Sequence, residues 1–205
     1  MDTIDTIFAN SLLGLIKPGY TQIQMQSSSL VYDSRNMLAN EAVEGNFTHV
    51  LWLDSDMTFE PDLLTRLIKD VDEKHDIVTA LAFARRQPFT PCIYKSLVMN
   101  EEETKIDPFT DYPKSELFEV VACGMAACLM KAEVFKTLQA EGEMRPFSPI
   151  YPLGEDISFC VRAKQKGFSI FCDSSIKVGH VARTIITEQS FMQYQAYQNM
   201  LKGKK

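Results

Sequence analysis

The 205-residue chain has no cysteine pair at C-x-x-C spacing, no P-loop and no dinucleotide-binding glycine fingerprint. Those absences exclude the commonest zinc, redox and phosphate-binding motifs. It also has no apolar run approaching the ~20 residues of a membrane helix. The longest candidate, Phe118 to Met130, is broken by Glu119 and Gly124. The start of the sequence lacks the basic region and small-residue cleavage site of a signal peptide. Positive charge is scarce too, with 21 Lys and Arg against 27 Asp and Glu and a net charge of -6. A general affinity for nucleic acid or anionic membrane is therefore not expected, because both need a cationic face. The one basic cluster, Lys202, Lys204 and Lys205, reads as a solvated tail. Five cysteines, an odd number with mostly apolar neighbours, suit buried free thiols in a reducing compartment, and the cytoplasm is the expected one.

With 45% apolar and 23% charged residues, the chain is an ordinary globular sequence, long enough for one well-buried domain over residues 1–205. Ile4, Ile7, Phe8, Leu12 and Leu15 keep the helical rhythm until Lys17-Pro18-Gly19 stops it. Tyr20 to Gln26 alternates and predicts a strand; a helix from about Ser34 to Glu44 follows, with Asp33 or Ser34 as cap. Thr48 to Leu53 is a short apolar run with the character of a central strand covered on both faces. A helix after Pro61 and a buried strand at Asp76 to Ala82 come next. Residues 85–114 predict an irregular loop or lid with one strand at Pro91 to Lys95.

Beyond it, Leu117 to Met130 reads as strand interrupted at Cys123-Gly124, and Lys131 to Gln139 as a helix. Glu155 to Lys166 is a second helix, ended by Gly167, and Ser169 to Cys172 and Ile176 to His180 are closing strands. The aromatic run Phe191, Tyr194 and Tyr197 has helical spacing and reads as packing. Helices alternating with strands imply an α/β domain with a mostly parallel central sheet.

Asp54 and Asp56 follow a buried strand two positions apart, so alternation along an extended chain sets both carboxylates on one side. The carboxyl edge of such a sheet is where open α/β folds bind ligands. Two carboxylates crowded there call for a cation, and Mg²⁺ or Mn²⁺, which take carboxylates together with substrate phosphates, suit them. The alternative is a turn or helix cap, a common use of Asp-x-Asp. Arg35 lies near a helix start, where guanidinium and helix N-terminus both favour phosphate oxygens. Gly124 inside strand material marks either close passage of a ligand or a bulge packed against a helix. Glu155 and Asp156 open a helix, as acids serving the dipole or as a catalytic pair.

Three blocks, DSRNMLANEA, THVLWLDSDM and GEDISFCVRAKQKGFSIFCDSSIKVGH, agree in order and spacing with the GT-A nucleotide-sugar glycosyltransferases, family-2-like or related, which the chain resembles from Asp33 to His180. The resemblance implies a single GT-A-like domain and transfer of a sugar from a UDP- or GDP-type donor to an acceptor hydroxyl, on a carbohydrate, protein or lipid-linked molecule. It implies that Arg35 and Asn36 lie near the nucleotide, that Asp54-Ser55-Asp56 holds Mn²⁺ or Mg²⁺ against the diphosphate, with Asp56 a direct ligand, and that His180 completes the metal set. Asp156, with Glu155 beside it, is expected on the acceptor side and is the candidate general base if the reaction inverts, retention or inversion being open at this point. Gly124 is a point of donor or acceptor approach. The buried strand with which such domains begin is not visible in this sequence: either the chain starts late or another segment takes its place in the sheet. The competing reading is a sugar- or nucleotide-binding or scaffolding protein that keeps the fold without turnover.

Overall fold

The computed structural model of the protein describes residues 4–100, 102–140, 145–183 and 185–202. In chain order, α1 (Thr6–Gly14) and α2 (Val31–Glu44) precede β1 (His49–Leu53), β2 (Met57–Thr58), α3 (Leu63–Asp70) and β3 (Ile77–Leu81). A run of short strands follows: β4 (Ile93–Met99), β5 (Thr104–Pro108), β6 (Leu117–Glu119), β7 (Ala122–Cys123) and β8 (Ala127–Lys131). The chain closes with α4 (Glu133–Ala140), α5 (Glu155–Gln165), β9 (Ile170–Lys177), β10 (Gly179–His180) and α6 (Glu188–Lys202).

The main sheet has the order β1-β8-β3-β9-β6. Two small sheets, β10-β2 and β5-β4-β7, sit beside it. The α/β class is as expected, but the sheet is mixed where a mostly parallel one was predicted. β1, β3 and β9 share a direction, yet only β3 and β9 are parallel neighbours. β8 lies antiparallel between β1 and β3. The physical reason is where β8 enters. The chain comes from β7 of a small sheet through residues 124–126 and joins the main sheet at the end where β1 and β3 finish, with Ala127 opposite Leu53 and Cys128 opposite Thr79. From there it can only run against them.

Both faces of the sheet are covered, which is why β3 is buried at all five positions. One face carries Phe8 and Leu15 with Leu63, Leu64 and Leu67 of α3. The other carries Ala39 of α2, Val134, Phe135 and Leu138 of α4, and Phe159 and Ala163 of α5. Its centre is aromatic: Phe147 stacks on Phe159 at 4.4 Å and meets the Trp52 ring edge-on at 5.1 Å. Asp76 ties three strand ends together, taking Lys131 Nζ at 2.8 Å and Ser169 N at 2.9 Å. Burial opposes ionisation of this carboxyl, but Lys131 and Ser169 outweigh it and hold its pKa below the ordinary value.

Several predicted elements move. Residues 20–26 form no strand and run as irregular chain, mostly exposed. A strand needs a neighbour for its backbone groups, and none pairs with them. α2 begins at Val31, with Leu30 as N-cap and no side-chain cap; Ser34 lies inside the helix and bonds Ser28 instead. β1 is an edge strand, paired with β8 alone, so the expected missing neighbour has no substitute among the described residues. The predicted lid at 85–114 is largely the β4–β5 hairpin, and the closing strands are one long β9 plus β10. Phe191, Tyr194 and Tyr197 lie on α6 but are exposed, so the helix spacing was right and the packing was not. Gly167 has φ of 85°, as a helix-ending glycine should. Lys204 and Lys205 of the basic tail, and the side chain of Lys202, lie outside the described residues.

Candidate active site

β1 ends at Leu53, and the next three residues leave the extended conformation: Ser55 and Asp56 form a turn closed by Met57 N on Asp54 O at 3.2 Å. The period-two argument fails at this turn, and the two carboxylates go to different partners. Asp54 Oδ1 accepts from Arg35 at 3.1 Å. Asp56 faces His180, with Nε2 at 3.3 Å from Oδ1, and Arg85 on Oδ2. Backbone bonding fixes the second group: Val181 N donates to Asp56 O at 2.8 Å, and β10 pairs with β2 so that His180 stands opposite Met57.

His180 is oriented from behind. Its Nδ1 lies 2.9 Å from the carbonyl oxygen of Phe83. A carbonyl only accepts, so Nδ1 carries the hydrogen and Nε2 is the nitrogen presented to Asp56. Nε2 and Oδ1 are then either an imidazolium–carboxylate pair or two lone pairs converging on a cation. A backbone carbonyl that fixes the tautomer is the usual support of a metal-binding histidine. Among the described residues no group of three or more His, Cys, Asp or Glu is arranged to hold a metal. Asp56 and His180 are a pair, which suits an ion that keeps waters and substrate phosphates as its other ligands.

Arg35 is the hub of the neighbouring cluster. It is 6% exposed, and its guanidinium lies 3.1 Å from Asp54, 3.5 Å from Asp156 and 3.9 Å from Glu155. Asp54 comes from the β1 end, Arg35 from α2 and the two acids from the start of α5, so one guanidinium joins three elements. Asp156 Oδ2 accepts from Met125 N at 3.3 Å, while Oδ1 is buried without a hydrogen bond. Burial pushes its pKa up to about 7; Glu155 and Asp54 push the same way and Arg35 opposes. A buried carboxyl with a pKa near neutrality, one oxygen of which meets only the 3.5 Å approach of Arg35, is equipped to take a proton.

The structure thus brings Arg35, Asp54, Glu155 and Asp156 together in one cluster and Asp56 and His180 in another, both reached from the Asp54–Asp56 turn. A Cβ added at Gly124 would lie 3.6 Å from Asp156 Oδ2 and 3.4 Å from the Cys92 Cβ, so this glycine borders Asp156. Ser55 is exposed and, with Asp54 and Arg35, lines a cavity of about 820 Å³ between residues 17–28, α2 and the outer edge of β1. Asn36 is buried, and its Oδ1 accepts from Phe147 N at 3.0 Å; it holds the segment before α5. Sequence reasoning passed over Arg85 and the Phe83 carbonyl. The available signal was an Arg-Arg pair just past a fully buried strand, where ligands are bound in this fold class.

The model of the glycosyltransferase-like family 2 matches residues 20–196. The chain belongs to this family. No curated protein is matched. Among solved structures, A197 from STIV is 17% identical over 78% of this chain and 72% of that one, with a TM-score of 0.57. GalNAc-T7 with UDP, GalNAc and Mn²⁺ is 14% identical over 78% of this chain and 32% of that one, with a TM-score of 0.54. At such identities these two show a shared fold. The protein is a glycosyltransferase with a GT-A-like domain, and the GT-A class uses nucleotide-sugars. Among the described residues no helix is long and apolar enough to cross a membrane.

Proposed function

We propose that this glycosyltransferase moves a sugar from a UDP- or GDP-type donor to an acceptor hydroxyl with the help of Mn²⁺ or Mg²⁺ held by Asp56 and His180. The observation that carries the proposal is the convergence of Asp56 Oδ1 and His180 Nε2, with the histidine held from behind by the Phe83 carbonyl. The residues fit a hard-to-borderline divalent ion. When bound, such an ion would offset the charge of the departing diphosphate. The cavity beside Asp54 and Ser55 falls in the size range of small-ligand sites and takes the nucleoside.

Arg35 keeps Asp54 and Asp156 in place; with three carboxylates around it, it positions groups more than it binds phosphate. Asp156 takes the proton of the acceptor hydroxyl in a single inverting displacement. Five unpaired thiols, four of them buried, suit a reducing compartment such as the cytoplasm.

The test is thermal shift with UDP, GDP and their sugars, with and without Mn²⁺. Wild type should gain stability from nucleotide only when metal is present, and Asp56→Ala should lose that gain. Equal nucleotide affinity of the two proteins would reject the metal site. Release of nucleoside diphosphate from the donor, dependent on an acceptor, separates a transferase from a binding protein that has kept the fold.

A further inference from the structure

The loop from Phe83 to Pro91 touches the Asp56–His180 pair twice. Phe83 and Pro91 form an isolated antiparallel bridge, and Ala84 N donates to Thr90 O at 2.9 Å, so the base of the loop is closed. From that base the Phe83 carbonyl holds His180, and two residues on, the Arg85 guanidinium sits on Asp56 Oδ2. The Arg85 side chain is 55% exposed while that of Asp56 is 26% exposed. An arginine that reaches out of solvent onto a carboxylate makes a weak pair, because screening and side-chain entropy oppose it.

A divalent cation between Asp56 Oδ1 and His180 Nε2 would leave Oδ2 to Arg85 but weaken that pair. Two positive centres on one carboxylate repel each other, and the ion draws the carboxylate charge to itself. An already weak, exposed pair is then easily given up, and the tether of Arg85 is short: the base of the loop remains pinned two residues away. Its five donors in a planar fork match the oxygens of a diphosphate lying against the same cation. Arg35 cannot serve that purpose, being buried among three carboxylates.

Resting on the metal-dependent reading above, we propose that Arg85 is a donor-binding residue that occupies Asp56 until the cation arrives and then clamps the diphosphate. The guanidinium has two alternative anionic partners, the Asp56 carboxylate and the diphosphate, and the cation decides between them. The proposal goes beyond metal dependence by naming a residue whose effects on metal and on nucleotide have opposite signs.

Titration of Mn²⁺ into protein without nucleotide, read by the loss of the free-ion paramagnetic resonance signal, gives the first arm. Titration of UDP at saturating Mn²⁺, read by calorimetry, gives the second. Arg85→Ala should bind Mn²⁺ about fivefold more tightly, the upper range of an exposed ion pair removed. It should bind UDP about tenfold more weakly, the loss of a charge-assisted contact. Arg86→Ala, on the same loop, should change neither. Arg85 is exposed, so the variant is expected to fold, and an unchanged melting temperature without ligand checks this. If Arg85→Ala binds Mn²⁺ no more tightly, or binds UDP as well as wild type, the proposal is overturned while the metal site stands. If wild type and Asp56→Ala bind Mn²⁺ alike, the metal reading falls and the proposal with it.

Discussion

Replacing Asp156 by Asn keeps the shape of the side chain and its acceptor for Met125 N but removes its titration. In the folded protein burial raises this carboxyl from 3.8 to about 7, about three units. At about 1.4 kcal/mol per unit, the full effect is on the order of 4 kcal/mol. The sign follows from linkage. Between the two pKa values the folded state holds a proton that the unfolded state has lost. The stabilisation is complete below the unfolded pKa and disappears as pH rises through the folded one. Wild type should therefore lose stability relative to Asp156→Asn between pH 5 and pH 7, by about 2 kcal/mol, and the difference should level off above about pH 8.

Urea unfolding of both proteins at pH 5, 6, 7 and 8 measures this directly. The same titration should appear in the rate of wild type, rising through about pH 7 as the base is freed, and Asp156→Asn should transfer roughly 10²–10⁴ times more slowly. Stability curves for the two proteins running parallel from pH 5 to pH 8 would refute the burial argument. Near-normal transfer by the variant would refute the base, and would favour a retaining route.

Phe147→Ala should cost about 3–5 kcal/mol, since the ring is fully buried between Phe159 and Trp52; guanidinium unfolding measures the loss, and a shift in emission of the single Trp52 reports the opened core. Gly179→Ala should disturb the β2–β10 pair, because a Cβ would come within 2.6 Å of the Thr58 Cγ2; weaker Mn²⁺ binding with little change in the urea midpoint is the expected pattern, as His180 shifts while both core faces stay packed.

Elements whose burial is decided locally could be read from the chain. α3, β3 and α5 came out at nearly their predicted places because apolar spacing and end signals agree there, as with Gly167. The candidate site was legible as a set of residue types: Asp54, Asp56, Asp156 and His180 lie at or next to the ends of elements, and Arg35, one turn into α2, meets Asp54 and Asp156. Their pairing was not legible. Whether Asp54 and Asp56 share a side depends on a single turn at Ser55, and no periodicity foretells a turn that follows a strand. β8 was read as strand, but its direction was hidden for a related reason: direction is set by where the preceding chain comes from, a long-range property absent from the five residues Ala127–Lys131. The strand expected at 20–26 shows the converse, a local pattern without a neighbour to complete it.

The charges in the site set the order in which its ligands can arrive. Four carboxyl groups, from Asp54, Asp56, Glu155 and Asp156, face Arg35 and Arg85. Even with Asp156 protonated, a dianionic diphosphate brought into this region meets net negative charge, and the whole chain, at -6, offers no relief at long range. A divalent ion held as proposed above would change the sign locally, at the carboxylate that Arg85 covers. Metal and nucleotide must then favour each other, and thermodynamic reciprocity makes the two enhancements equal in free energy. On the proposed metal-dependent reading, an acidic glycosyltransferase built this way would take up the donor as a metal complex, or metal first, because the bare nucleotide would be repelled by a group of carboxylates of which one, Asp56, is the proposed ligand of its counter-ion.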